Sequence, residues 1–94
     1  MKLSLKNKHA IICGSTDGIG KASALLLAKQ GCEITLVARN QNKLNSTLSE
    51  LNKEHNQEHH SICTDFDDPS DLKNKITMHI ESLDKSVDIL VNNS

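Results

Sequence analysis

Three of the four glycines in this chain fall in one short stretch, Gly14-Ser15-Thr16-Asp17-Gly18-Ile19-Gly20. A short apolar run precedes it and a helix-period segment follows it. Where a strand hands over to a helix, unpaired backbone N–H groups and the positive end of the helix dipole face outward together, and both attract phosphate. Each glycine has a physical task there. Gly14 takes the turn off the strand, Gly18 lets a pyrophosphate approach the backbone, and Gly20 lets the helix pack close to the strand. A glycine string alone does no more than punctuate a turn. The strand before, the helix after and a second strand following are what make it a nucleotide-binding motif. The magnesium-dependent P-loop is a different arrangement and does not fit. Gly20-Lys21 is present, but Ser15 holds the first glycine position and Ala22 offers no hydroxyl for the metal.

The tip of the second strand carries the next piece of chemistry. Dinucleotide-binding domains that take NAD place an Asp or Glu there, on the ribose 2′-hydroxyl. This chain reads Ala38-Arg39-Asn40. No carboxylate is present to repel a 2′-phosphate, and Arg39 offers a planar, permanently charged fork that suits one. The residues therefore point to NADP(H) ahead of NAD(H). The missing acid also weighs against a methyltransferase-type binder of another nucleotide.

These residues need a scaffold, and the apolar pattern supplies one. His9–Cys13 and Glu33–Ala38 are apolar runs without strict alternation. His60–Thr64 is a weaker run, and Val87–Val91 is a fourth. Such runs suit strands buried on both faces of a parallel sheet. Between them lie three helical patterns. Ile19, Ala22, Leu26 and Leu27 form the expected stripe of the first, which stops at Gly31, a residue suited to a left-handed cap. The second carries Leu44, Leu48 and Leu51. The third opens with Asp68 as N-cap and Pro69 at the first helical position, and its stripe is Leu72, Ile76, Ile80 and Leu83. Alternating strands and helices require parallel pairing through crossovers. The expected fold is the N-terminal half of a Rossmann α/β domain spanning residues 1–94. It has three helices and a four-stranded parallel sheet in the order 3-2-1-4, and it breaks off after the fourth strand.

With those elements in place, the chain resembles the short-chain dehydrogenases/reductases. Gly14-x-x-x-Gly18-Ile19-Gly20 is similar to that family's cofactor signature. Asp65 resembles its adenine-contacting Asp, and Asp88-Ile89-Leu90-Val91-Asn92-Asn93 resembles its fourth-strand signature. The bacterial reductases similar to 3-oxoacyl-acyl-carrier-protein reductase are the nearest in flavour. The resemblance implies that Ser15 and Arg39, with Asn40, surround the 2′-phosphate, and that the backbone of Ile19 lies by the nicotinamide half. It implies that Asp65 bonds the adenine amino group beside the Phe66 backbone, and that Asn92 lines the ribose. Gly14, Ser15, Thr16, Asp17, Gly18, Ile19 and Gly20 would form the phosphate turn. The chain departs from the family pattern at Ser94, where the family has Ala. The family's catalytic Ser, Tyr and Lys fall beyond Ser94, and the chain contains no tyrosine. The phenol that serves as general acid/base in that chemistry is therefore not supplied here. The resemblance implies an NADP-dependent oxidoreductase in the full-length form, acting on a small carbonyl or alcohol substrate and usually homo-oligomeric. The 94 residues alone are expected to be catalytically inactive. The other expectation is a truncated nucleotide-binding module, poorly soluble because strand four is an open edge.

Composition bounds the rest. A chain of 94 residues is one small domain, and a net charge of -1 gives no case for nucleic acid or an anionic membrane. No run is long enough for a membrane span, and the N-terminus is too polar for a signal peptide. Cys13, Cys32 and Cys63 are odd in number and form no Cys-x-x-Cys, so they read as small buried residues in a reducing cytoplasm. His55 and His59 have the i, i+4 spacing of a zinc pair. Their polar surroundings instead read as a solvated connection, and no metal site is expected. Asp67, Asp68 and Asp71 read as capping residues of the third helix. No nucleophile elbow or Ser-His-Asp arrangement is legible.

Overall fold

The computed structural model describes residues 8–14, 18–51, 53, 57–64, 68–82 and 87–92, with only the backbone of Pro69 and Asn92. Seven elements alternate along it: β1 (His9–Cys13), α1 (Gly18–Lys29), β2 (Glu33–Ala38), α2 (Gln41–Glu50), β3 (His60–Cys63), α3 (Pro69–Ser82) and β4 (Ile89–Asn92). All three strand pairs are parallel, and the sheet runs β3-β2-β1-β4. Fold class and strand order match the sequence reading. β3 stops one residue short of the expected end, and β4 starts at Ile89 rather than Val87.

Residue alternation divides the core into two layers. Ala10, Ile12, Ile34, Leu36 and Ala38 point to the face covered by α1 and α2, together with Ala24, Ala28 and Leu44. Ile11, Cys13, Val37 and Ile62 point to the other face, against Leu72, Ile76 and Ile80 of α3. Every residue of β1 is buried, which is why its run shows no polar alternation.

The expected stripe on α1 needs correction. Ile19 is 74% exposed and Leu26 61% exposed, and Ala22 is exposed as well. The face against the sheet is Gly20, Ala24 and Ala28, flanked by Leu25 and Leu27. Small residues one turn apart let the helix axis approach the strands, and the larger side chains are displaced to the flanks.

The helix ends follow the sequence reading. Gly31 has φ 102°, its N–H donates to the Ala28 carbonyl, and the Cys32 N–H reaches back to Leu27. This is the paired Schellman bonding that a left-handed residue makes possible. Asp68 Oδ1 accepts the Asp71 N–H at 3.1 Å, with Pro69 opening α3. The predicted stripe residue Leu83 lies outside the described residues.

The connection into β3 is not simply solvated. Gln57 is buried, and its Nε2 donates to the carbonyls of Ala28 (2.6 Å) and Cys32 (3.0 Å) at the end of α1. A polar side chain is stable there because its amide hydrogens find carbonyl acceptors, a second donor for Ala28 and a donor for Cys32. Among the described residues no helix is long and apolar enough to cross a membrane.

Candidate functional site

The carboxyl ends of the strands come to one edge of the sheet. The register pairs Cys13 with Val37 and with Asn92, and Ala38 with Cys63. Gly14, Arg39, Thr64 and the Asn92 backbone therefore stand side by side, with β1 at the centre. Open α/β sheets bind ligands in this position, where the chain leaves the central strand and the order reverses.

Gly14 leaves β1 with φ 72°, and its N–H donates to the Val37 carbonyl at 2.8 Å. α1 begins at Gly18, whose φ of 58° lies in the left-handed region. A Cβ built on Gly18 would meet nothing within 4 Å. Among the described residues, this glycine is thus required by its backbone conformation and not by crowding. Gly18 and Ile19 are exposed at the helix start, and Gly20 is buried in the seam with the sheet. The first turn of α1 carries no acidic side chain. An anion there would meet backbone amides and the helix dipole without a competing carboxylate from that turn. These features fit a dinucleotide phosphate group. Of the predicted phosphate turn, Ser15, Thr16 and Asp17 lie outside the described residues.

Arg39 follows the last residue of β2 and is exposed, and Asn40 is exposed beside it. Asn40 has a structural duty the sequence reading did not assign. It is the N-cap of α2, and its Oδ1 accepts the Lys43 N–H at 3.0 Å. Its oxygen is committed, so its amide nitrogen is the group that can donate to an anion.

Two further residues fix this edge. Thr64 is buried, its N–H donates to the Ala38 carbonyl (2.9 Å), and its hydroxyl donates to Asp71 Oδ2 (2.8 Å). Lys75 donates to the Cys63 carbonyl at 2.9 Å and pairs with Asp71 at 3.1 Å. The Thr64 hydrogen bond, followed by Lys75, holds the Asp71 carboxyl below the usual carboxylate range. Thr64 and Lys75 were missed in the sequence. The i, i+4 spacing of Asp71 and Lys75 is visible there, but their contact with the end of β3 is not. Asp65 and Phe66, the expected adenine contacts, lie outside the described residues, as do Asp67, Asn93 and Ser94.

Burial pushes the Cys13 thiol up. Burial, aided by Asp88 and Glu33, pushes Cys32 up to about 11, so both stay protonated near neutral pH. Cys63, expected to be buried, is only half-buried because it ends the outer strand β3, and it donates its thiol hydrogen to the Arg39 carbonyl at 3.2 Å. Among the described residues no group of His, Cys, Asp and Glu has the arrangement of a metal site. His55 lies outside the described residues, and His59 packs against the sheet.

Comparison with known proteins agrees with this geometry. The short chain dehydrogenase family profile matches residues 8–94. The very-long-chain 3-oxoacyl-CoA reductase of Mus musculus is 40% identical over 84 residues, 89% of this chain and 26% of the relative. The 17-beta-hydroxysteroid dehydrogenase type 3 of Danio rerio is 38% identical over 86 residues, 92% of this chain and 27% of the relative. The chain thus spans about a quarter of the length of these curated relatives. Among solved structures, the L-sorbose reductase of Gluconobacter frateurii, complexed with NADPH and L-sorbose, superposes with a TM-score of 0.87 at 32% identity. That match covers 100% of this chain and 35% of the other. The matched family profile, the strand order and the left-handed Gly14 and Gly18 lead to one conclusion: this chain belongs to the short-chain dehydrogenase family and forms the first half of its Rossmann fold.

Proposed function

We propose that this chain is the cofactor-binding part of an NADP(H)-dependent oxidoreductase. The observation that carries the reading is the juxtaposition, at one sheet edge, of the left-handed Gly14 and Gly18 and an exposed arginine on the neighbouring strand tip. Gly14 to Gly20, with Ser15, Thr16 and Asp17, would hold the pyrophosphate through backbone amides. Arg39, with Ser15 and the Asn40 amide nitrogen, would hold the 2′-phosphate. The Ile19 backbone would lie by the nicotinamide half, Asp65 and Phe66 would hold the adenine, and Asn92 would line the ribose.

The bound nicotinamide supplies hydride transfer to or from a carbonyl or alcohol carbon. This chain's residues bind and orient it. The chain has no tyrosine, so the phenolic acid/base of the family chemistry is not among its groups. The NADPH complex of the L-sorbose reductase supports the choice of cofactor. A reducing, cytoplasmic setting, suggested by three free thiols, is part of the same reading.

The test is a titration of the chain with NADPH, NADH and S-adenosylmethionine, followed by calorimetry. The reading expects NADPH to bind about 10- to 100-fold more tightly than NADH, the value of one charge-assisted hydrogen-bonded phosphate contact. Equal affinities for the two dinucleotides would remove the role of Arg39. Preference for S-adenosylmethionine would overturn the oxidoreductase assignment.

A further inference from the structure

Three imidazoles from three elements gather at the amino end of the sheet, away from the glycine turn. His9 of β1 and His79 of α3 each place Nε2 at 2.8 Å from Thr35 Oγ1 of β2. His60 of β3 joins them. Ring centroids lie 5.1 Å apart for His60 and His79, 6.2 Å for His9 and His79, and 6.5 Å for His9 and His60. His9 and Thr35 are buried at 1% and 0% exposure, so the shared hydroxyl is closed to water. One residue before His60, His59 accepts the Ile34 N–H on its Nδ1 at 3.0 Å.

Burial and hydrogen bonding together favour neutral imidazoles here. A threonine hydroxyl has one proton to donate and can also accept. Thr35 therefore bridges the two Nε2 atoms whether it donates to one of them or accepts from both, and the cost of charging the pair lies in repulsion and lost hydration. His59 Nδ1 can accept a backbone N–H only when it is unprotonated. Charging both His9 and His79 turns both Nε2 atoms into donors and sets like charges against each other in a site shielded from solvent.

The charges around the cluster are unevenly placed. On β2, Glu33 Oε2 lies 3.7 Å from His9 Nδ1. Just before β4, the Asp88 carboxylate accepts the His9 backbone N–H at 3.0 Å. On α3, Lys75 stands one turn before His79, with its ammonium on Asp71 and the Cys63 carbonyl. From β1 and β3, His79 is faced by imidazoles. Both carboxylates therefore contact the His9 side of the cluster.

We propose that this histidine seam is an acid-sensitive latch, which holds α3 and the approach to β3 on the sheet while its imidazoles are neutral and releases them when they charge. Because α3 also braces the end of β3 through Asp71 and Lys75, release at one end of the sheet reaches the other. The direction at His79 agrees. Burial, then His60 and His9, hold its pKa below the ordinary value of 6.5. A depressed folded value means that the unfolded chain takes up the proton more readily. The stabilising contribution is complete above about 6.5 and is lost below it, as pH falls through the lower folded value.

The test pairs imidazole NMR titration of the full chain with urea melts at about pH 7.5 and about pH 5.5, the range in which histidine charges. His79→Gln and His59→Gln carry amide groups that do not titrate. The expected results are a His79 resonance titrating below free histidine and a wild-type unfolding constant that rises toward acid. The rise approaches about tenfold per pH unit for each extra proton bound on unfolding. Both variants should flatten that dependence. A His79 resonance titrating at or above the free value overturns the latch, and so does equal pH dependence in the wild type and both variants. If a variant does not fold, the wild-type titration decides alone.

Discussion

The two ends of this sheet treat their polar groups in opposite ways. At the carboxyl end, Gly14 and Gly18 take left-handed backbone, Gly18 and Ile19 are exposed, and Arg39 is exposed at the strand tip. At the amino end, His9, Thr35 and His79 satisfy one another under a helix. The same strands feed both ends, so strand chemistry does not make the difference. The glycines and the helix start leave one end available to a ligand, while side chains close the other. The general lesson is that a binding edge is recognised by what its backbone leaves open as much as by the side chains gathered there.

The comparison can be broken or sharpened in steps. The largest effect is expected from the floor that both ends share. Leu36 is fully buried in the middle of β2, and Leu36→Ala should cost about 2–5 kcal/mol in a urea melt through lost burial and a residual cavity. If the two ends are parts of one cooperative unit, NMR probes at Gly14 and His79 should lose signal together. Separate transitions would break the picture of a common scaffold.

Next in size is Gly18→Val. The left-handed φ, not crowding, is the obstacle, so the cost is about 1–2 kcal/mol of backbone strain. Dinucleotide affinity should fall with it in a fluorescence titration, while the imidazole titration at the far end stays unchanged. Unaltered affinity would mean that the turn does not hold the phosphate.

Asn40→Ala sharpens the distinction between scaffold and ligand at the site itself. Loss of the cap on Lys43 should cost about 1 kcal/mol of stability, read by thermal or urea melting. A further drop in NADPH affinity, measured on folded protein, would show that the amide nitrogen also serves the ligand.

Much of the scaffold was legible before any coordinates, because backbone physics marked it. Buried strands gave unbroken apolar runs, Gly31 stopped α1, and Asp68-Pro69 opened α3. The glycine turn was legible for the same reason, since positive φ at Gly14 and Gly18 leaves a trace in residue type. The buried face of α1 was not legible. Its contacts use Gly20, Ala24 and Ala28, whose small side chains give a weak apolar signal, while Ile19 and Leu26 gave a strong and misleading one. The histidine seam was hidden because its members lie far apart in the chain and meet only when the sheet and α3 assemble. Gln57 looked like part of a polar connection, and the carbonyls of Ala28 in α1 and of Cys32 before β2 explain its burial.

The central claim is that Arg39 reads a 2′-phosphate beside the glycine turn. Arg39→Asp, measured by calorimetric titration against NADPH and NADH, tests it most directly. Replacing the guanidinium by a carboxylate should weaken NADPH by about 10- to 100-fold or more, while NADH affinity holds or improves as the new acid meets the 2′-hydroxyl. Equal losses for both dinucleotides, or none for either, would contradict the account.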